Sequence, residues 1–352
     1  MLRVALLGAG RVAQHYAYMR DEFIPPGLLS FTAVVDEKPE AANALAQRLG
    51  AKVHTTISAI TPEVADLAVV LTPSGLHEAH SLQLLQQGMP VLSEKPLGLS
   101  IEAVLDNAKY AREKGLAYGG VFQNRFNPAL LFAQQVVTSG RLGRIVSAGV
   151  RLRWCRYQPY YEDGWHGTWK LDGGVSNQQA IHHVDALQWL CGMPRQLAAF
   201  KGRQMNQLEA EDTMVASGLT EKDIFFTFEA TTAARPEDFE ASLSLVGEKG
   251  YLDVSGVALN EIRRCSLIGE EARQAEYCET HSRAVRSGYG VGHADLLLGI
   301  AHRFAASGKI ELPLSAEESL NAVRFVHALY RATEDGQNVH FDGNVRSCLL
   351  GV

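Results

Sequence analysis

An apolar run of strand length, Arg3-Val4-Ala5-Leu6-Leu7, is followed at once by Gly8-Ala9-Gly10-Arg11-Val12-Ala13 and a segment compatible with a helix. This succession restricts the chain more than any other stretch, because it asks a strand to hand its backbone directly to a helix N-terminus. Gly8 permits the tight turn, Gly10 lets the backbone approach a phosphate, and Ala13 is small enough for helix to meet strand. The free N–H groups and positive dipole end of such a helix suit a pyrophosphate. Gly8, Ala9, Gly10, Arg11 and Val12 are therefore expected to line a dinucleotide.

A second strand, Phe31-Thr32-Ala33-Val34-Val35, ends in Asp36. A carboxylate there accepts hydrogen bonds from the adenosine ribose hydroxyls and repels a 2′-phosphate, so NAD is expected over NADP. Glu37 adds to the repulsion, whereas Lys38 is the one neighbour that could serve a phosphate. The interval from Gly8 to Asp36 exceeds the usual spacing of about 20 residues, and the loop Ile24-Pro25-Pro26-Gly27 accounts for the excess.

Further buried-type runs at Leu67 to Leu71, Pro90 to Leu92 and Leu116 to Phe122 alternate with helical patterns at Pro39 to Leu49, Leu76 to Gln87 and Ile101 to Lys114. Such alternation predicts an α/β domain with a parallel sheet covered on both faces. Thr72-Pro73-Ser74, with His77 just beyond, and Glu94-Lys95-Pro96 then lie at carboxyl ends of strands, where open α/β sheets bind ligands. Together with Gln123 they complete the expected cofactor-binding set. Taken alone, a lysine after a strand such as Lys95 is more often a solvated surface charge.

After Phe122 the pattern changes to runs such as Ile145 to Leu152, Thr213 to Leu219, Ile224 to Glu229 and Ala241 to Val246, several alternating apolar with polar. These read as antiparallel strands with one buried face. Helical patterns interrupt them at His182 to Leu190 and Ala316 to Tyr330. The domain expectation is 1–121 for the dinucleotide-binding domain and 122–352 for a domain that binds substrate and self-associates.

With 352 residues and 46% hydrophobic content, a two-domain globular chain is expected. The formal net charge of −6 supplies no basic field for nucleic acid. No apolar stretch reaches membrane-span length, and no signal-peptide pattern opens the chain. Cys155, Cys191, Cys265, Cys278 and Cys348 show neither CxxC pairing nor metal spacing, which fits a reducing cytoplasm.

The remaining chemistry lies in Leu171-Asp172-Gly173-Gly174-Val175-Ser176-Asn177-Gln178-Gln179-Ala180-Ile181-His182-His183-Val184-Asp185. A helix from about Asn177 would put Gln178, His182 and Asp185 on one face. The two glycines allow close approach of backbone to ligand. An imidazole suits the removal of an alcohol proton near neutrality, and Asp185 could orient it. Spacing does not decide which of His182 and His183 faces a cleft, and both also fit an ordinary amphipathic helix. A metal site is not expected, because adjacent histidines point about 100° apart on a helix.

The glycine fingerprint, Glu94-Lys95-Pro96-Leu97, Gln123-Asn124-Arg125-Phe126-Asn127-Pro128, Gly140-Arg141-Leu142-Gly143 and Ala180-Ile181-His182-His183-Val184-Asp185 resemble the glucose-fructose oxidoreductase, inositol dehydrogenase and MocA (Gfo/Idh/MocA) family over nearly the whole chain. The resemblance implies a Rossmann domain followed by an α+β domain with a large open antiparallel sheet. It also implies that Lys95 and His182 act at the reacting hydroxyl, with NAD as cofactor. Arg156-Tyr157-Gln158-Pro159-Tyr160-Tyr161 and Gly164-Trp165-His166-Gly167-Thr168-Trp169 resemble the enzymes that oxidise the sugar 3-hydroxyl of UDP-N-acetylglucosaminuronate. On that likeness Lys95, Arg125, Arg153, Arg156, Tyr160, Trp165, Trp169, Gln178, His182 and His293 are the candidate substrate contacts. Gln178 stands where relatives carry Asp or Asn, and it cannot act as a charged base. Alternatives are a dehydrogenase of free inositol, polyol or monosaccharide, and a dinucleotide-binding regulator without the chemistry. A homo-oligomer, dimer or tetramer, is expected from the uncovered sheet face.

Overall fold

The N-terminal apolar run forms β1 (Leu2–Leu7), buried along almost its whole length, in a computed structural model that describes residues 1–336 and 338–352. After it come α1 (Arg11–Phe23), β2 (Leu29–Val35), α2 (Pro39–Leu49), β3 (Lys52–His54), β4 (Leu67–Val70), α3 (His77–Gln86), β5 (Val91–Ser93), α4 (Ile101–Lys114) and β6 (Tyr118–Gly120). The strands pair in parallel in the order β3-β2-β1-β4-β5-β6, so the strand sequence reverses between β1 and β4. Local chemistry sets the helix ends. Pro39 opens α2 and Gly50 closes it in the left-handed region, while the Ser100 hydroxyl caps α4 and Gly115 ends it. Leu6, Val34, Val69 and Leu92 are fully buried, each contributing roughly 1.5–3 kcal/mol by leaving water.

A second sheet follows, with α5 (Pro128–Thr138), β7 (Ile145–Arg153), α6 (Val175–Gln178), α7 (Ile181–Cys191), β8 (Pro194–Gly202), β9 (Thr213–Thr220), β10 (Phe225–Thr231), β11 (Glu240–Gly247), β12 (Gly250–Ser255), β13 (Glu261–Leu267) and α8 (Gln274–Thr280). Then come α9 (Gly292–Ser307), α10 (Ala316–Asp335) and β14 (Val339–His340). The eight-stranded order is β13-β12-β11-β7-β10-β9-β8-β14. The expected antiparallel pairing holds except at its centre, where β7 and β10 run parallel. Those two strands are not joined by a hairpin, so nothing forces them to alternate in direction.

Residues Met1–Gln123 and Val291–Leu320 form one compact unit, and Asn124–Gly290 with Asn321–Val352 form the other. In the first, α9 packs on α1 and β1. In the second, one sheet face is apolar and buried, with Val150, Leu152, Phe226, Phe228, Leu243 and Leu245, and α7 packs against β7 and β11. The opposite face carries exposed Phe225, Val215 and Val246 among serines and threonines. No helix among the described residues is long and apolar enough to cross a membrane.

Candidate active site

At the β1–α1 turn, Gly8 has φ +110°, and a Cβ there would sit 2.8 Å from the Leu71 carbonyl. Only glycine fits. A Cβ on Gly10 would meet nothing within 4 Å, and α1 starts on Gly10 with no side-chain cap. An open cradle at an uncapped helix N-terminus fits a pyrophosphate. Arg11 and Val12 form the first turn of that helix. The Ala9 N–H is committed elsewhere, since it donates to Asp36 Oδ2 at 2.7 Å, while Asp36 Oδ1 accepts the Lys38 N–H at 2.8 Å. Asp36, directly after β2, thus braces the glycine turn.

Around β4 and β5, His77 is buried and sets its ring nitrogens against the carbonyl oxygens of Thr72 (2.7 Å) and Pro96 (2.6 Å). It ties the Thr72-Pro73-Ser74 turn to the lysine turn, whose Lys95–Pro96 bond is cis. Lys95 is half-buried, next to a fully enclosed Glu94. Glu94 accepts from Tyr16 Oη (3.1 Å), His293 Nε2 (2.9 Å) and the Lys95 N–H (3.2 Å). Burial opposes the charge on Glu94, yet the His293 hydrogen bond with the nearby His293 and Lys95 charges holds its carboxyl below the usual range. Burial, helped by His293, pushes the neighbouring His15 down to about 3. His293 is 1% exposed, and it serves Glu94. Gln123 is also buried, with its carbonyl against Gly292.

In the second unit the glycine-histidine segment is not the single helix that spacing predicts. It breaks after Gln178, where the Ala180 N–H bonds five residues back to the Val175 carbonyl, and α7 restarts at Ile181. The wider loop resets the phase, so Gln178 and His182 are not one helical turn apart on a continuous face. Gln178 instead donates to Asp172 Oδ1 at 2.5 Å, Gly167 N–H donates to Asp172 Oδ2, and Asn177 Nδ2 donates to the Asp172 carbonyl. The Gln178 amide is spent holding this buried carboxylate. His182 and His183 are both buried, and burial drives His183 down to about 4, keeping it neutral near physiological pH.

Asp185 forms a bidentate pair with Arg125 (2.7 and 2.6 Å) and accepts from Gln188 Nε2 (3.0 Å). Both partners are under 10% exposed, and Arg125 lies over the Trp189 ring. The guanidinium fork is thus occupied by Asp185, sixty residues along the chain. Arg153 pairs with Glu229 and Glu240. It alternates with buried Leu152 on β7 and so lies on the sheet face opposite α7, away from His182.

The aromatic candidates separate into two groups. Tyr160 and Trp165 both pack on the buried His166, whose Nδ1 meets Asp163 at 2.5 Å, and Gln179 donates to Tyr160 Oη. Arg156 stacks over Trp154 and Tyr160 while bonding Asp238. Trp169 packs inward against Tyr330, with the Lys201 ammonium 4.3 Å from its ring centre. Tyr160, Trp165 and Arg156 therefore share one loop cluster beside the α6–α7 junction, and the half-buried Trp169 packs separately against Tyr330. Glu211 and Tyr330, which organise the segment, carry no sequence signal: each reads as an ordinary loop or helix residue until the fold joins them.

Residues 2–121 match the family described as "Oxidoreductase family, NAD-binding Rossmann fold", and residues 130–253 match the GFO/IDH/MocA C-terminal domain. The crystal structure of the WlbA dehydrogenase from Bordetella pertussis in complex with NADH and UDP-GlcNAcA superposes with a TM-score of 0.87 at 30% identity, over 97% of each chain. Myo-inositol dehydrogenase Hyg17 of Streptomyces leeuwenhoekii is 26% identical over 81% of this chain and 86% of its own length. D-glucoside 3-dehydrogenase of Escherichia coli is 31% identical over 55% of each chain. The glycine turn, the strand order and both family matches agree, and the chain is a member of the Gfo/Idh/MocA oxidoreductase family, an NAD-binding dehydrogenase.

Proposed function

We propose that this protein oxidises a secondary hydroxyl of a sugar, specifically the 3-hydroxyl of a UDP-linked N-acetylamino sugar or its uronate. The observation that carries the reading is the likeness, over 97% of the chain, to a dehydrogenase solved with UDP-GlcNAcA. The cluster of Arg156, Tyr160 and Trp165 supports it: a nucleotide sugar needs flat apolar faces and a guanidinium for its acidic groups. Bound NAD supplies the hydride acceptor. His182 takes the hydroxyl proton, and Lys95 holds the developing oxygen charge with its ammonium. Asp185, through Arg125, fixes α7 and hence the histidine. Asp36 meets the ribose and disfavours a 2′-phosphate.

A free polyol such as inositol is the second reading, favoured by the 26% identity with a myo-inositol dehydrogenase over most of both chains. We also propose a homo-oligomer, built on the sheet face where Phe200, Val215 and Phe225 are exposed, in a reducing cytoplasm that suits five free cysteines. Incubation with NAD and UDP-N-acetylglucosaminuronate, UDP-N-acetylglucosamine, myo-inositol or glucose, read by absorbance of reduced nicotinamide, tests the substrate. Turnover of a UDP-sugar and not of inositol is expected. Inositol or glucose turnover with no response to either UDP-sugar would install the second reading.

A further inference from the structure

Three successive backbone donors at the start of the glycine-histidine segment are held by just two side chains' residues, neither of them near in sequence. The Gly174 N–H donates to Tyr330 Oη at 2.9 Å, Val175 N–H to the Glu211 carbonyl at 3.0 Å, and Ser176 N–H to Glu211 Oε1 at 3.1 Å. Tyr330 Oη in turn donates to Glu211 Oε1 at 3.0 Å, closing the ring. A Cβ on Gly174 would overlap the Glu211 carboxyl and carbonyl, so this glycine is where the chain admits Glu211. Gly173, at φ +77°, brings the backbone under Tyr330 Oη and Leu350. The close approach that the two glycines permit is, in this unit, an approach of the protein to itself.

We infer that Glu211 and Tyr330 are positioning residues for the dehydrogenase reaction, setting where the segment that carries His182 begins. The inference rests on the reading of His182 as the acid–base group. Helix α6 is four residues long and ends in a break, so it has little rigidity of its own. Its register therefore comes from its anchors, Glu211 and Tyr330 at one end and Asp172 on Gln178 at the other. Both anchoring side chains at the start are buried, on a loop before β9 and on α10. Burial pushes the Glu211 carboxyl up to about 7, against the Ser176 hydrogen bonds and the Lys201 charge that favour its anion. A neutral amide of the same shape is thus a fair substitute, and the two carboxyl-to-amide and hydroxyl-to-hydrogen changes separate anchoring from charge.

The test compares Tyr330→Phe, Glu211→Asp and Glu211→Gln in the full chain, with the His182 ring signal followed by NMR in histidine-labelled protein and assigned by its loss in His182→Phe. Tyr330→Phe removes the acceptor for Gly174 N–H, and Glu211→Asp draws the carboxyl back from Ser176 by one methylene. Each is expected to move the His182 signal and lower kcat by on the order of tenfold to a hundredfold, the scale of a misplacement near 1 Å. The KM for sugar and the affinity for NADH should stay within about twofold, and Glu211→Gln should recover most of kcat. Wild-type kcat and an unmoved His182 signal in Tyr330→Phe or Glu211→Asp would overturn the inference, as would a Glu211→Gln protein no better than Glu211→Asp. If Tyr330→Phe does not fold, the pair at position 211 decides alone. Full turnover in His182→Phe would instead remove the reading of His182, whatever the signal does in the other variants.

Discussion

Asp185→Asn separates a structural from a chemical role for the residue three beyond His182. In the native fold the Asp185 carboxylate, 2% exposed, neutralises Arg125, 8% exposed, through two hydrogen bonds of 2.7 and 2.6 Å. The amide keeps the shape but leaves a buried guanidinium without its counter-charge. Breaking one side of a buried pair costs about 3–5 kcal/mol, and roughly 2–4 °C per kcal/mol holds for a folding unit of 150–250 residues. A fall in Tm of roughly 6–20 °C is therefore expected. Replacing both charges, as in Arg125→Met with Asp185→Asn, removes the orphaned cation and should restore most of the loss, with the Met side chain still covering Trp189. Differential scanning fluorimetry gives the Tm, and reduced-nicotinamide absorbance gives turnover in the same samples. If Asp185 serves the fold only by neutralising Arg125, turnover in the double variant returns along with Tm. A Tm change below about 2 °C in Asp185→Asn would refute the reasoning, since the pair would then be contributing less than about 1 kcal/mol.

Asp36→Ser should narrow an NAD over NADP preference of at least about tenfold, equivalent to about 1.4 kcal/mol; it should also weaken both cofactors, because the Ala9 N–H loses its acceptor, and titration of cofactor fluorescence measures both effects. Lys95→Met and His182→Phe should each abolish hydride transfer while NADH still binds, and His183→Phe should be milder; retained turnover in His182→Phe would reassign the base. Stability should carry a Glu211 signature. Its protonated form is favoured in the fold, so the stability it contributes is full below about pH 4.5 and is lost as pH rises from there through about 7. The shift from 4.5 to about 7 corresponds to about 3 kcal/mol, so Glu211→Gln should gain Tm over the parent at pH 8 relative to pH 5, and an equal difference at both would contradict the assignment.

The features that rest on neighbouring residues were legible in the sequence. The strand into Gly8, the proline-to-glycine span of α2 and the helix from Ile101 to Lys114 all follow from local turn and capping chemistry, and all appear as expected. The alternation of Phe226, Phe228 and Ala230 with Thr227 and Glu229 announced a one-faced strand. What stayed hidden depends on distant partners. Nothing near Arg125 marks it as the counter-ion of Asp185 rather than of a substrate, and Arg153 reveals its face only once β7 has a buried side. The break between α6 and α7 carries no proline or glycine to announce it, and it shows only in the five-residue hydrogen bond from Ala180 to Val175. Helix α9 sits far along the sequence yet packs on α1, so His293 meets Glu94 instead of reading as a free surface base. The glycines of the histidine segment were visible, whereas the residues that they admit, Glu211 and Tyr330, were not.

In the proposed reaction a hydride leaves carbon 3 of a UDP-linked amino sugar. UDP-N-acetylglucosaminuronate deuterated at that carbon, incubated with the protein and NAD, tests it most directly through the mass of the reduced nicotinamide formed. Reduced cofactor heavier by one deuterium is expected, with myo-inositol deuterated at its ring carbons giving none. Unlabelled reduced cofactor from the sugar, or label arriving from inositol alone, would contradict it.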